Sequence, residues 1–124
     1  MEDGAFMGAQ PGLEVAELAM DGVTVLLARG DIDIATVPLL CERLAEFRGK
    51  RVVLDLTSAS FCDVAGMRAV SAEARSGRAA GGLFAIVAPD GSPARRLLDV
   101  AGLVGGVEIH DDRPRAISRV RPHR

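Results

Sequence analysis

Two short segments hold the residues that could do chemistry. The first, GDIDIAT at residues 30–36, contains Asp31, Asp33 and Thr36. The second, FCDVAGM at residues 61–67, places Asp63 between a buried apolar run and the start of a helix. The free backbone N–H groups at a helix N-terminus favour a carboxylate or another anion. These residues therefore point to the carrying or the recognition of negative charge.

The sequence lacks the residue patterns of an enzyme or a metalloprotein. Its two histidines, His110 and His123, lie near the C-terminus, and there is no CxxC motif to support a metal site. No nucleophile elbow, GxGxxG or P-loop pattern occurs. A phospho-accepting receiver domain would need a late lysine, and Lys50 is the only lysine. We therefore expect neither enzymatic activity nor a cofactor.

Composition and charge argue against nucleic acid as a partner. Aromatic residues make up 3% of the chain, with no Trp or Tyr, which does not suit a module that stacks bases. The net charge is −2. Residues 111–124 hold five arginines against two aspartates, which is +3. A solvated terminal tail is the favoured interpretation of that stretch, ahead of a polyanion-binding site.

Location is predicted from what the sequence does not contain. No basic-then-apolar leader opens the chain, and no apolar run approaches the ~20 residues that a membrane helix needs. Cys41 and Cys62 are too few for a disulfide framework. We therefore expect reduced thiols, no membrane partner and a cytoplasmic protein.

Hydrophobic periodicity predicts alternating strands and helices. Residues 1–12 show no periodicity and are interpreted as a flexible lead-in. An Asp21-Gly22 turn predicts a hairpin, and the strand after it is expected to be broken at residues 30–33. Strands are predicted, in order, over residues 13–18, 23–28, 52–56, 83–87 and 107–109.

Helix signals fall between these strands. Thr36 is a candidate N-cap, with Pro38 in the first turn of a helix that ends near residue 48. A loop at residues 61–63 leads into a second helix, whose apolar stripe is Met67, Val70 and Ala74. A third begins at Ser92-Pro93, with Gly102 as its C′ residue, and a last short helix is predicted over residues 111–120.

These elements predict one α/β domain over residues 13–120, followed by a basic tail at 121–124. Its mixed, mostly parallel sheet would be opened by an antiparallel hairpin and covered by three to four helices.

In their order and spacing, the two acidic segments and the run VVLDL at residues 52–56 resemble the STAS domain family. That family includes bacterial anti-sigma factor antagonists, stress-signalling scaffolds and domains of anion transporters. Its patterns are G-E-[LIV]-D…T before the first helix and D-[ST]-[ST]-G-[LIM] before the second. The resemblance covers about residues 13–120 and implies the STAS fold.

The resemblance also implies a function and a departure from it. In antagonists of this family, the hydroxyl residue before the glycine is phosphorylated by the anti-sigma factor, itself a serine kinase, and phosphorylation ends binding. Here that position is Ala65, preceded by Val64, so neither residue can accept a phosphoryl group. The resemblance therefore implies an antagonist that binds a serine-kinase-type anti-sigma factor without this off-switch.

One alternative accompanies this prediction. The chain could be a STAS scaffold or sensor module that self-assembles or binds a small ligand, and a homodimer stays open in either case. Ser58, Ser60 and Ser71 lie near the loop but are poor substitutes for the missing phosphoacceptor.

Partner contacts are predicted for ten residues, several of which have a purely structural alternative. Asp63 could be an N-cap, Asp33 an Asx-turn residue and Gly66 a site of close packing. Met67 is expected in the core, and Ile32 is either buried or a contact. The ten residues are Asp31, Ile32, Asp33, Thr36, Asp63, Val64, Ala65, Gly66, Met67 and Arg68.

Overall fold

A seven-stranded mixed sheet forms the centre of the molecule. The computed structural model describes residues 5–10, 12–101 and 107–123. The sheet order is β1-β2-β3-β4-β6-β7, and β5 pairs with β3 beyond the end of β4. β1, β2 and β3 are antiparallel neighbours, and the remaining pairings are parallel. The strands are β1 Ala5–Gln10, β2 Leu13–Met20, β3 Val23–Ile32, β4 Arg51–Asp55, β5 Ala59–Cys62, β6 Leu83–Val87 and β7 Glu108–His110.

Four helices cover the two faces of this sheet. They are α1 Val37–Ala45, α2 Val64–Ala79, α3 Pro93–Ala101 and α4 Arg113–Val120. The larger core includes residues of α1, α2 and α3 with one face of the strands, among them Leu26, Leu40 and Met67. The smaller core packs Ala116, Ile117 and Val120 of α4 on the other face. Adjacent strand residues fall into different cores because side chains alternate across a strand.

This architecture confirms the predicted α/β class and its opening hairpin. Asp21 has φ 53° and Gly22 has φ 77°, the positive pair that a type I′ turn requires. The final helix is also confirmed: Asp112 caps it by accepting a hydrogen bond from the backbone N–H of Arg115 at 2.9 Å. Ser92 Oγ accepts from the Arg95 N–H at 3.2 Å, as expected for a cap of α3. The predicted C′ residue Gly102 lies outside the described residues.

Three predictions about local structure are wrong. Residues 5–10 of the expected flexible lead-in form β1, which pairs along the edge of β2. The chain is not broken at residues 30–33, because β3 runs on to Ile32. The loop expected before Asp63 contains β5. In each case pairing with a neighbouring strand outweighs a weak local pattern, and for β3 and β5 that neighbour is distant in sequence.

The predicted solvated basic tail is largely a paired helix. Arg113 contacts Asp55, Arg119 contacts Glu108, and Arg115 contacts Asp112. The Arg119 guanidinium lowers the pKa of Glu108 to about 2. The positive charges of α4 are therefore matched by acidic groups, which leaves little excess charge for a polyanion. No helix among the described residues has the length and apolar character to cross a membrane.

Candidate functional site

The two acidic segments meet at one corner of the domain, where β3 and β5 end side by side. Asp31 lies opposite Phe61 and Ile32 lies opposite Cys62 in the parallel ladder. The ladder ends with the Asp63 N–H donating to the Ile32 carbonyl at 3.1 Å. The structure thus brings segments 31–36 and 61–68 together, although they are far apart in sequence.

The first segment is held by its own side chains. Asp33 Oδ1 accepts from the backbone N–H groups of Ala35 at 2.9 Å and Thr36 at 3.0 Å, so the predicted Asx turn is confirmed. The Thr36 hydroxyl donates to the Asp31 carbonyl at 2.7 Å and accepts from the Asp33 N–H at 3.0 Å. Thr36 stands at the N-cap position of α1, but its side chain makes no capping hydrogen bond. The predicted N-cap position of Thr36 is therefore confirmed, but its hydroxyl ties the loop instead of capping the helix.

The second segment is held by Asp63. Its Oδ1 accepts from the Gly66 N–H at 2.7 Å, and its carbonyl accepts from the Met67 N–H at 3.0 Å. The backbone of Asp63 is extended, as is usual for an N-cap residue. The predicted capping role of Asp63 is confirmed, and the cap fixes the direction in which α2 leaves the corner.

Gly66 allows α2 to lie directly on the end of β3. A Cβ atom built at Gly66 would lie 2.6 Å from the Ile32 carbonyl oxygen and 3.1 Å from Asp33 Cα. Both neighbours are backbone atoms, so they cannot yield as a flexible side chain can. The structural alternative for Gly66, close packing of helix on strand, is confirmed.

Burial separates the ten predicted contact residues into two groups. Ile32, Thr36, Gly66 and Met67 are buried, so they support the corner from beneath. The expected core position of Met67 and the buried alternative for Ile32 are confirmed, and we correct the prediction that these four residues present side chains to a partner. Asp31, Asp33 and Asp63 are half-buried, and Val64, Ala65 and Arg68 are exposed.

Two exposed apolar residues at this corner were missed by the prediction. Ile34 is 75% exposed and Phe61 is 52% exposed, while Val64 is 39% exposed. The one sequence signal that could have identified Ile34 is its position as an apolar residue between the acidic Asp33 and the small Ala35. We call the eight residues Asp31, Asp33, Ile34, Phe61, Asp63, Val64, Ala65 and Arg68 the corner surface.

The corner surface is acidic around its apolar residues. It holds three aspartates and one arginine, a formal charge of −2. The same field acts on the adjacent thiol: burial, then the charges of Asp63 and Asp31, raise the pKa of Cys62 to about 11. Cys62 is therefore a neutral thiol at physiological pH. Burial also raises the pKa of Cys41.

The position of Ala65 is open to solvent in the first turn of α2, two residues after the cap. A hydroxyl there would be reachable by a kinase, but the alanine methyl cannot carry a phosphoryl group. The nearby serines differ in setting: Ser58 and Ser60 are exposed, whereas Ser71 is buried. Within the described residues, no group of three or more His, Cys, Asp or Glu side chains is placed to hold a metal ion.

Comparison with known proteins identifies the family. The STAS domain model matches residues 18–116, and the chain belongs to the STAS domain family. An anti-sigma factor antagonist from Mycobacterium paratuberculosis is 25% identical over 92% of this chain and 98% of its own, with a TM-score of 0.80. No curated protein sequence matches the chain.

More distant structures share the fold alone. The phosphorylated form of the Bacillus cell fate determinant SpoIIAA is 22% identical, over 88% of this chain and 99% of its own, with a TM-score of 0.62. A murine anion transporter of the solute carrier 26 family is 12% identical. That match covers 82% of this chain and 18% of the transporter, with a TM-score of 0.67.

Proposed function

We propose that this protein is an anti-sigma factor antagonist that binds a serine-kinase-type anti-sigma factor through the corner surface and so frees a sigma factor. One observation carries the proposal: the apolar side chains of Ile34, Phe61 and Val64 are exposed together on loops that are already ordered. The side chains of Asp33 and Asp63 order those loops by accepting backbone hydrogen bonds. Membership of the STAS family and similarity to the mycobacterial antagonist support it.

The arrangement suits protein recognition for two physical reasons. Exposed apolar side chains gain about 25 cal/mol for each Å² that a partner covers. Loops that are already ordered lose little conformational entropy on binding. The surrounding aspartates would favour a partner whose contact face is apolar with a basic rim, since such a rim speeds encounter and fixes orientation.

Ala65 makes the proposed binding independent of phosphorylation at this position. A phosphate would add about −1.5 to −2 charge next to Asp63 and Asp33. Every ~1.4 kcal/mol of such a penalty at an interface would weaken binding tenfold. Without a hydroxyl, the corner surface keeps the charge that the unphosphorylated state has.

The first experiment is affinity capture of the tagged protein from native lysate, followed by mass spectrometry. We expect a serine-kinase-type anti-sigma factor. With that partner purified, the dissociation constant of the wild-type protein should be the same with and without MgATP. The Ala65→Ser variant should bind equally well without MgATP, acquire one phosphoryl group with it, and then lose binding. Loss of wild-type binding on adding MgATP would contradict the proposal.

The surface itself is tested by Ile34→Asp. This change places a charge on the most exposed apolar residue of the corner surface and should weaken binding at least tenfold without changing the circular dichroism spectrum. Met20→Asp is the matched control, because Met20 is a 43% exposed apolar residue outside the corner surface. Equal effects of the two variants would exclude the corner surface as the contact.

The second candidate function is a scaffold or sensor module that acts through self-assembly or a small ligand. It is favoured by one observation, the apolar pair Val64-Ala65 in place of hydroxyl residues. Recovery of only the protein itself, or of a large sensory assembly, in the capture experiment would support it.

A further inference from the structure

Asp55 is a buried carboxylate to which the proposed recognition surface gives no role. It ends β4 and is 5% exposed. Its Oδ1 accepts from the Thr57 N–H at 2.9 Å and from the Thr57 hydroxyl at 2.6 Å. Its Oδ2 accepts from Arg113 Nε at 3.0 Å. A buried charge with this many partners is expensive to leave unpaired, so removing any one of them should disturb the others.

The turn that Asp55 holds is the one that sets β5 in place. Leu56 donates its N–H to the Val87 carbonyl at 2.8 Å, and the Ala59 N–H donates to the Leu56 carbonyl at 3.1 Å. The Ser58 carbonyl then accepts from the Gly30 N–H at 3.1 Å, which joins the turn to β3. The bonds at Asp55 and at Gly30 therefore hold the turn from both sides.

β5 depends on this turn because, apart from its packing against α3, a single short ladder holds it. It is four residues long and pairs with three residues of β3. It carries Phe61 and leads directly into the Asp63 cap. A short strand with one ladder is a segment that opens readily, so the placement of Phe61 depends on the bonds at both ends of β5.

We propose that Arg113 is a positioning residue of the corner surface, acting through Asp55, Thr57 and β5. Arg113 begins α4, which packs on the face of the sheet opposite to α1 and α2. The C-terminal helix is thereby connected to the recognition surface through the sheet. The binding part of this inference rests on the proposed function, whereas the structural part does not.

The test is amide hydrogen exchange measured by NMR on the full-length protein. In Arg113→Gln, exchange at Thr57, Ala59 and Gly30 should become about tenfold faster, the size expected for loss of one charge-assisted hydrogen bond. Exchange in the middle of α2 should change less than twofold. Arg113→Lys, which keeps the cation, should restore part of the protection.

Arg119→Gln is the matched control. It removes another arginine of α4, and with it the contact to Glu108, without touching Asp55. Exchange at Thr57 and Gly30 should be unchanged in this variant. Equal acceleration in the two glutamine variants, or acceleration spread evenly over the whole chain in Arg113→Gln and Arg113→Lys, would overturn the inference.

Binding to the captured anti-sigma factor supplies the second readout. Arg113→Gln should weaken it by about tenfold, beyond any loss explained by the unfolded fraction, while Arg119→Gln should not weaken it. If the wild-type protein binds no anti-sigma factor, the proposed function fails, yet the exchange experiment still decides whether Arg113 positions β5. Unchanged binding by a folded Arg113→Gln variant would overturn the positioning role in recognition.

Discussion

Replacing Gly66 by alanine is expected to destabilise the domain, although alanine is the better helix former. The added Cβ atom would lie 2.6 Å from the Ile32 carbonyl oxygen and 2.9 Å from its carbon. Overpacking costs about 1–3 kcal/mol, and contacts this short with backbone atoms, which cannot yield, place the cost in the upper part of that range, at about 2–3 kcal/mol. The intrinsic gain of alanine over glycine in a helix offsets about 1 kcal/mol of this. The expected net loss in the free energy of unfolding is therefore about 1–2 kcal/mol.

Urea denaturation followed by circular dichroism measures this loss. With a slope of about 2 kcal/mol per M, the midpoint should fall by roughly 0.5–1 M. Binding to the proposed anti-sigma factor partner should weaken as well, because the N-terminal end of α2 must move away from Ile32 and carry Val64 and Ala65 with it.

Gly77→Ala is the control, since it makes the same change in the same helix. The nearest atom to a Cβ at Gly77 is Arg48 Cα at 4.0 Å, so the added methyl meets no close contact. This variant should gain about 0.5–1 kcal/mol from the reduced entropy of the unfolded chain. A Gly66→Ala variant as stable as Gly77→Ala would refute the close-packing argument for the corner.

Three further outcomes are expected. Asp63→Ala should lose about 0.5–2 kcal/mol of stability, because the Gly66 N–H loses its acceptor, whereas Asp63→Asn should lose only a few tenths; thermal unfolding of both compares them. The pKa of the Cys62 thiol is raised to about 11, so at pH 8 it should hold about a hundredfold less thiolate than a cysteine with an ordinary pKa of about 9. Its alkylation should therefore be slow in native protein and fast in urea. Leu26→Ala should cost about 2–5 kcal/mol in chemical denaturation, since the side chain is fully buried; a loss under 1 kcal/mol would contradict its place in the core.

The helices and most strands could be predicted because their signals are local. The stripe Met67, Val70 and Ala74 on α2 faces the core as its spacing predicts. Asp63 caps the helix that follows it, and Asp21-Gly22 closes the hairpin. Each of these depends on residues close together in the chain, where backbone geometry and periodicity act directly.

Part of the candidate site could not be predicted because exposure is set by neighbours distant in sequence. Ile32 and Ile34 are the same residue type two positions apart in one acidic segment, yet Ile32 is buried and Ile34 is 75% exposed. The difference arises because β3 continues to Ile32 and is covered there, whereas Ile34 follows the strand end. Nothing in the local pattern distinguishes them.

The α/β class, the two acidic segments and the absence of a hydroxyl at Ala65 and Val64 can be read directly from the residues. The contact of residues 31–36 with residues 61–68, the strand β5, and the pairing of Asp55 with Arg113, 58 positions away, exist only in the folded chain. A short strand and a buried ion pair gain their stability from partners that are distant in sequence, and folding is what brings those partners together.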